Sequence, residues 1–379
     1  MRICSKVIKN GLLLISLLVF LPTVASATSV ISTAPGGDSA AGYQGAVVAF
    51  GNGELIRGHE IFKNGLTIAG SSAVVTWDGD GIVGGAITFN SDNTSVLKLS
   101  SDLRLGTTGS FTCGGTMMIV NGQDCCRIVL GNDLALNQSI KLTTGDLVID
   151  GQGHTLTLGG SARLIENGRT LTLRNMTLVR DSSNVNALAF FTNISSGTYI
   201  LENVTIRCKP YESTYVTLFP SSGTASLKIR GRVVIDAPGV NFALTQGATI
   251  TTLTIEKNST LAVGKNTAFV MNTADSGGVT TFSMADQTSI LHLDGCDFYT
   301  GGSAVQQALN LTKGTVLFEN KVRVFNALYD TSTFSAGAVN SEAAKGIIFG
   351  DGTQANDMDV RVLGGAYVTN AGYMKYNHS

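Results

Sequence analysis

The chain has 379 residues, with 26 basic and 27 acidic side chains and a formal net charge of −1 at pH 7. This balance argues against nucleic acid as a partner, because binding to the phosphate backbone needs clustered basic residues. Charged residues make up only 14% of the chain and glycine contributes 45 residues, which together with frequent Val, Ile and Thr predicts β structure with many turns.

Residues 1–27 have the pattern of a secretory signal peptide. Three basic residues precede the apolar stretch GLLLISLLVFLPTV, and the small residues Ala25-Ser26-Ala27 follow it, so we place the cleavage after Ala27. The alternative is an N-terminal membrane anchor, although the apolar stretch is short for a span. We therefore expect an exported protein, either secreted or held at the cell surface or in the periplasm. No integral membrane segment is expected after the signal is removed, because no later apolar run approaches the roughly 18 residues that a span requires.

Five cysteines follow Ala27, which is an odd number, so at least one stays unpaired or pairs between chains. Cys113 could form a disulfide with Cys125 or Cys126 in an oxidising compartment. The alternative is that these residues act as small buried hydrophobic side chains. The chain has no C-x-x-C motif and its four histidines are scattered, so we expect no metal site and no cofactor.

Short runs of alternating apolar and polar residues recur along the chain, and each is typical of a β-strand with one buried face. The spacing between similar runs is nearly constant. It is 24 residues from Leu147 to Leu171 and 26 from Leu201 to Leu227, from Leu227 to Leu253 and from Leu291 to Leu317, with one longer step of 30 from Leu171 to Leu201. A repeating unit of two or three short strands predicts a β-solenoid. A β-sandwich is the alternative fold.

Asparagine separates two short apolar runs at three places in these repeats, namely Asn175, Asn203 and Asn320. Asparagine tolerates left-handed backbone, and its side chain can bond backbone groups. We interpret these three residues as corners between the faces of the solenoid. The less regular residues 28–60 are assigned to an N-terminal segment and cap. Residues 61–379 are assigned to the parallel β-helix domain, with a C-terminal cap at 364–379.

The segments LVIDGQGHTLTL, LIENGRTLTLRNMTLV and YILENVTI, within residues 147–206, resemble the right-handed parallel β-helix proteins of the pectate-lyase-like superfamily. The resemblance implies an all-β fold, a single-stranded right-handed parallel β-helix. It leaves function open, because the superfamily includes lyases, glycoside hydrolases and adhesins. The N-T-D, D-D, G-H-G, R-I-K and R-x-P-x-x-R motifs of its pectin-degrading members are absent. A fainter resemblance, to chlamydial polymorphic outer membrane proteins, rests on GGAI at 84–87, FFTN at 190–193 and FVMN at 269–272.

The bend at residues 150–154, with the sequence DGQGH, combines an acid and a histidine around two glycines. We interpret it as a corner whose glycines supply backbone freedom, with a glycan contact or catalytic role for Asp150 and His154 as the alternative. Two acid pairs, Asp78/Asp80 and Asp357/Asp359, are typical turn residues, although two carboxylates on one side of a strand could also cleave a glycosidic bond. The T-x-T motifs are interpreted as ordinary outward threonines, with an ice-binding row as the alternative.

These observations favour an exported, non-enzymatic β-solenoid with a structural, adhesive or glycan-contacting role at or outside the cell envelope. Its expected partner is a glycan or a host or cell-surface protein. One alternative is a polysaccharide lyase or glycoside hydrolase that acts on an acidic glycan. Another is a secreted passenger that needs a separate transport partner. The oligomeric state does not follow from the sequence.

Overall fold

The structure, a computed structural model, is an all-β solenoid of stacked parallel strands without helices in its described part, so the predicted fold is confirmed. It describes residues 30–31, 48–53, 55–58, 61–70, 72–79, 81–89, 94–113, 117–122, 126–181, 189–192, 196–209, 215–219, 223–245, 249–271, 278–300, 309–325, 329–330, 335–336, 346–353, 358–364, 366–370 and 373–376. The predicted signal peptide and its cleavage site at Ala27 lie outside these residues, and the signal stays a prediction.

Each coil runs through three faces in a fixed order. Strands of the first face are Ile61–Phe62, Ile82–Val83, Leu103–Leu105, Arg127–Val129, Leu147–Asp150, the first halves of Thr170–Asp181 and Gly197–Cys208, then Thr224–Arg230, Thr249–Ile255, Gly278–Met284, Leu309–Leu311, Gly346–Phe349 and Tyr373–Tyr376. Strands of the second face are Val48–Phe50, Leu66–Ile68, Ala86–Phe89, Ser110–Cys113, Leu134–Leu136, Thr155–Gly159, the second halves of the two long strands, then Arg232–Asp236, Thr260–Val263, Ile290–Asp294, Gly314–Glu319 and Met358–Val362.

The third face completes each coil. Its strands are Val30–Ile31, Leu55–Gly58, Val74–Gly79, Val96–Leu99, Met117–Gly122, Ser139–Leu142, Leu164–Ile165, Phe191–Thr192, Tyr215–Phe219, Asn241–Thr245, Ala268–Val270, Asp297–Tyr299, Lys321–Phe325 and Tyr367–Asn370. An antiparallel pair, Tyr329–Asp330 with Ser335–Ala336, lies in a connection outside the faces. Parallel pairing therefore begins before residue 61 and continues into the segment predicted as the C-terminal cap.

Stacked aliphatic side chains fill the interior of the solenoid. Leu147 pairs with Leu171, and Leu227 pairs with Leu253 one coil further on, as the spacing predicts. All four are at most 1% exposed. Because equivalent positions stack coil upon coil, these leucines are covered by apolar side chains of neighbouring coils. Burying one Leu side chain contributes about 1.5–3 kcal/mol to the stability of the fold.

Some of the predicted alignments were wrong. Tyr199, and not Leu201, pairs with Leu171 and with Leu227, so those two alignments were off by two residues. The alignment of Leu291 with Leu317 was off by one residue. Leu291 pairs with Val316, and His292 pairs with Leu317. Val316 and Phe318 point inward, each 1% exposed, while Leu317 is only partly buried. The run V-L-F is apolar throughout, so its pattern does not show which side faces the core, and a one-residue slip exchanges the two faces.

All three predicted corner asparagines have left-handed backbone: φ is 53° at Asn175, 54° at Asn203 and 54° at Asn320. Asn175 and Asn203 lie on successive coils, and the Asn203 side-chain amide donates to Oδ1 of Asn175 at 3.3 Å. Oδ1 of Asn203 accepts the backbone N–H of Arg232 on the next coil at 3.0 Å. The prediction of corner asparagines is confirmed, and their amides connect neighbouring coils.

Charges of alternating sign occupy the position before the first corner on five successive coils. Asp150, Arg174, Glu202 and Arg230 are register partners in turn, and Nε of Arg230 donates to Glu256 on the next coil at 2.7 Å. We call this set the charge ladder. Opposite charges about 4.8 Å apart on adjacent strands attract, while like charges there repel, so the ladder favours the observed register of the first face.

Candidate functional site

The Asp150–His154 bend is a closed turn between the first and second faces. Gln152 and Gly153 have φ of 52° and 90°, and the His154 N–H donates to the Gly151 carbonyl at 2.8 Å. Two consecutive positive φ angles define a type I′ turn, which favours glycine at its second central position. The Gly153 N–H donates to the Asn175 carbonyl on the next coil at 2.7 Å. The bend therefore has the corner geometry that we predicted.

Asp150 is 1% exposed, and its carboxylate accepts hydrogen bonds from other groups of the protein. Nε and Nη2 of Arg174 donate to Oδ2 at 2.8 and 2.6 Å, and the Gln152 N–H and the Asn175 amide donate to Oδ1. Burial opposes the charged form, but these hydrogen bonds outweigh it and hold the pKa of Asp150 below its ordinary value. The carboxylate contributes to the charge ladder rather than to the solvent-facing surface.

His154 is more accessible than Asp150, with 37% of its side chain exposed, and its Nδ1 lies 3.6 Å from Oδ1 of Asp133 on the preceding coil. The same Asp133 oxygen accepts the N–H of Thr155 at 2.8 Å. The structure thus separates the two predicted residues by environment, one buried and one at the surface. A glycan contact by this pair stays a prediction, with His154 as the member that solvent reaches.

Gly151 does not have the positive φ that the predicted backbone freedom would use, unlike Gly153. It instead allows the next coil to pack closely against the bend. A Cβ at Gly151 would lie 2.4 Å from Cβ of Met176 and 2.8 Å from the Asn175 carbonyl. We expect Gly151→Ala to lower the free energy of unfolding by about 1–3 kcal/mol, the usual cost of overpacking. The matched control is Gly364→Ala, at an exposed glycine without a positive φ where a Cβ meets nothing within 4 Å. Equal unfolding midpoints for the two variants in urea would contradict this prediction.

The other sequence-derived candidates are only partly described. Asp80, Asp357 and Cys125 lie outside the described residues, so the acid pairs and the disulfide stay predictions. Asp359 accepts a hydrogen bond from Nε of Arg361 at 2.5 Å. Cys126 is buried and its thiol donates to the Leu99 carbonyl at 3.4 Å. Within the described part of the chain, no group of three His, Cys, Asp or Glu residues is placed to hold a metal ion.

A polar groove with a volume of about 640 Å³ lies at the corner between the second and third faces and crosses four successive coils. We call it the corner groove. The side chains that give it its polar character are those of Asn241, Lys265, Asn266, Asp297, Asn320, Lys321 and Arg323. Asn320 is a predicted corner, but its proximity to the lysines was not predicted because most of these residues belong to different coils.

Unequal corner lengths account for the groove. Four residues, 237–240 and 264–267, connect the second face to the third on two coils. On the next two coils the connection takes two residues, 295–296, and then Asn320 alone. We infer that the longer turns project further from the axis of the solenoid than the shorter ones, so that the surface recedes from one coil to the next.

The floor of the corner groove is a ladder of backbone hydrogen bonds. The N–H of Gly239 donates to the Asn266 carbonyl at 2.8 Å, that of Asn266 to Gly295 at 2.9 Å, and that of Gly295 to Glu319 at 2.8 Å. Gly239, Asn266, Gly295 and Asn320 all have φ between 54° and 74°. Because backbone hydrogen bonds hold one left-handed residue of each coil against the next, the floor of the groove is largely formed before any ligand binds.

Three of the side chains that line the groove are cationic and one is anionic. Arg323 forms a bidentate ion pair with Asp297, and its guanidinium carbon lies 5.6 Å from the centre of the Phe325 ring. The hydrogen bond to Asp297 raises the pKa of Arg323. Lys265 and Lys321 are exposed and form no ion pair with any other residue that the structure describes. Two uncompensated positive charges therefore face the groove.

Comparison of the chain with models of protein families, with curated proteins and with solved structures found no match. The parallel β-helix architecture that the superfamily resemblance implied is present. The described residues contain no helix of the length and hydropathy that a membrane span needs.

Proposed function

We propose that this chain is an exported, non-enzymatic β-solenoid protein that contacts glycans through the corner groove, at or outside the cell envelope. The observation that carries the proposal is the groove itself. Amide side chains and cations line a concave surface that crosses four successive coils of the solenoid. Asparagine amides donate and accept hydrogen bonds, as sugar hydroxyls require, and a preformed site binds without first ordering its own backbone.

The signal-peptide pattern supports the exported location, and a solenoid rod suits a structural or adhesive role because it presents one surface over many coils. The resemblance to the pectate-lyase-like superfamily is compatible with glycan contact, since many of its members act on polysaccharides. A passenger role with a separate transport partner uses the same groove and differs only in how the protein reaches the surface.

Binding of purified protein to an array of neutral and acidic glycans tests the proposal. Asn241→Trp places an indole in the groove, and we expect it to reduce binding at least ten-fold. Asn310→Trp, at an exposed position on the first face, is the matched control and should bind like the parent protein. Absence of binding to every glycan, or equal binding by both variants, would contradict the proposal.

A second assay separates binding from catalysis. The protein is incubated with pectin, alginate and hyaluronan, with and without calcium, while unsaturated products and reducing ends are measured. We expect no product. Cleavage that is lost in the His154→Ala variant would instead favour the alternative of a polysaccharide lyase or glycoside hydrolase with the Asp150–His154 bend as its site.

A further inference from the structure

Tyr199 connects the first face to the third face at a place where two successive third-face strands are short. Leu164–Ile165 and Phe191–Thr192 have two residues each and share two register pairs. The Tyr199 side chain is 0% exposed. Its hydroxyl accepts the Glu166 N–H at 3.3 Å, and its single proton is shared between the Leu164 and Thr192 carbonyls, at 3.2 and 3.1 Å. One buried hydroxyl therefore supplements a short ladder of backbone hydrogen bonds.

Residues 166–169, which we call the Glu166 corner, lead from the third face to the first. Glu166 is 0% exposed, and a Cβ at Gly197 on the next coil would lie 2.5 Å from its Cδ. Oε2 accepts the Gly168 N–H, whereas Oε1 is buried without a hydrogen-bond partner among the described residues. The Arg169 N–H donates to the Glu166 carbonyl at 3.1 Å, and the Thr198 N–H donates to the Arg169 carbonyl at 3.0 Å. The carboxyl group is therefore enclosed between two coils with one oxygen unsolvated.

No ion pair compensates this carboxyl group within the described part of the chain. The other titratable or charged side chains on the elements packed against it are those of Lys141, Asp146, Arg163, Arg169 and Tyr199. Asp146 and Arg169 are exposed, and Oδ1 of Asp146 accepts the Thr170 N–H at 2.8 Å. Burial raises the pKa of Glu166 to about 7. The enclosure therefore suits a neutral carboxyl group and disfavours a carboxylate.

We propose that the Glu166 corner is a proton-controlled switch, closed over Gly197 while Glu166 is neutral and opened locally when Glu166 ionises. Opening lets water reach both carboxyl oxygens, which stabilises a charge that the closed corner excludes. It breaks the backbone hydrogen bond between Thr198 and Arg169, and it separates the Tyr199 hydroxyl from the Glu166 N–H. The solenoid thus has one boundary between coils whose closure depends on pH. This inference is independent of the proposed glycan contact, because the corner groove lies on later coils and between other faces.

The direction of the pH dependence follows from the two states of the corner. The closed corner binds the proton more tightly than the open corner, in which the carboxyl group has its ordinary pKa of 4.5. The equilibrium constant for opening is therefore smallest below about pH 4.5, increases as the pH rises towards about 7, and levels off above that. Between pH 5 and pH 8 we expect this constant to increase roughly fifty-fold.

Amide hydrogen exchange of the folded protein at pH 5 and pH 8, measured by mass spectrometry, tests the inference. After correction for the intrinsic exchange rate, peptides that contain residues 166–169 should show the increase in opening. Glu166→Gln cannot ionise, so its corner should open equally at both pH values. The matched control is the corner at 143–146 on the preceding coil, which also has four residues and whose carboxyl group, that of Asp146, is exposed. Its opening should not change with pH.

Tyr199→Phe removes the bridging hydroxyl and keeps the carboxyl group. Its Glu166 corner should open more than that of the parent protein at both pH values, with the same ratio between them. An undiminished ratio in Glu166→Gln would overturn the inference. So would equal increases at 166–169 and 143–146, because Glu166 would then alter only the stability of the whole fold. If Glu166→Gln does not fold, the comparison of the two corners in the parent protein and in Tyr199→Phe decides in the same way.

Discussion

Replacing Arg174 by methionine is expected to lower the free energy of unfolding by about 2–3 kcal/mol, because a buried carboxylate loses its counter-charge while the Arg174 side chain itself is 27% exposed. Arg174 gives Asp150 two hydrogen bonds at 2.8 and 2.6 Å, and Asp150 is 1% exposed. Methionine preserves much of the aliphatic packing but leaves a buried carboxylate without its counter-charge. Chemical denaturation at pH 7 measures the loss.

The matched control is Arg207→Met. Arg207 pairs with Asp236 at 3.0 Å on the second face, but the side chains are 57% and 41% exposed, so its loss should cost less than about 1 kcal/mol. The double variant R174M/D150N should recover part of the lost stability, because it removes the uncompensated charge. Equal effects of Arg174→Met and Arg207→Met would show that burial of Asp150 does not determine the contribution of the pair.

The second large effect is a dependence of stability on pH that originates at Glu166. Glu166 is fully buried, the Gly168 N–H donates to Oε2, and Oε1 has no hydrogen-bond partner among the described residues. Burial raises the pKa of Glu166 from 4.5 to about 7, because the charged form is poorly solvated there. The folded state therefore binds the proton more tightly than the unfolded state does.

A raised pKa stabilises the folded protein at low pH, and this contribution is lost as the pH rises through about 7. The difference corresponds to about 3 kcal/mol. Glu166→Gln cannot titrate, so its stability relative to the parent should rise by up to that amount between pH 4.5 and pH 8. Unfolding in urea across this pH range measures the change.

Tyr199→Phe serves as the control for this site. The Tyr199 hydroxyl accepts the Glu166 N–H at 3.3 Å, and its single proton is shared between the carbonyls of Leu164 and Thr192. Its loss should cost stability by a similar amount at every pH, because the carboxyl group remains. Parallel stability curves for the parent and Glu166→Gln would show that Glu166 does not carry the pH dependence.

The sequence was informative wherever one coil repeats the next. The stacking of Leu147 on Leu171 and the corners at Asn175, Asn203 and Asn320 follow from local pattern and backbone preference, and the structure confirms both. The register at Leu317 could not be predicted because V-L-F is apolar on both sides of the strand.

The corner groove could not be predicted for a different reason. It depends on the difference in length between successive corners and brings together Lys265 and Lys321, which are 56 residues apart in the sequence. Glu166 was missed because the segment LIENGRT is typical of an exposed turn, yet Gly197 on the next coil lets the carboxyl group pack against its backbone. The charge ladder was not predicted either, although each of its members immediately precedes a corner in the sequence.

Because the signs in the charge ladder alternate, removing an odd number of coils and removing an even number have different electrostatic consequences. Loss of the one coil that carries Glu202 would place Arg174 against Arg230, whereas loss of two adjacent coils would keep opposite signs in contact. The first face can therefore be shortened or extended in steps of two coils at little electrostatic cost, while odd steps bring like charges together. Over evolutionary time, duplications and deletions in this part of the rod should favour pairs of coils.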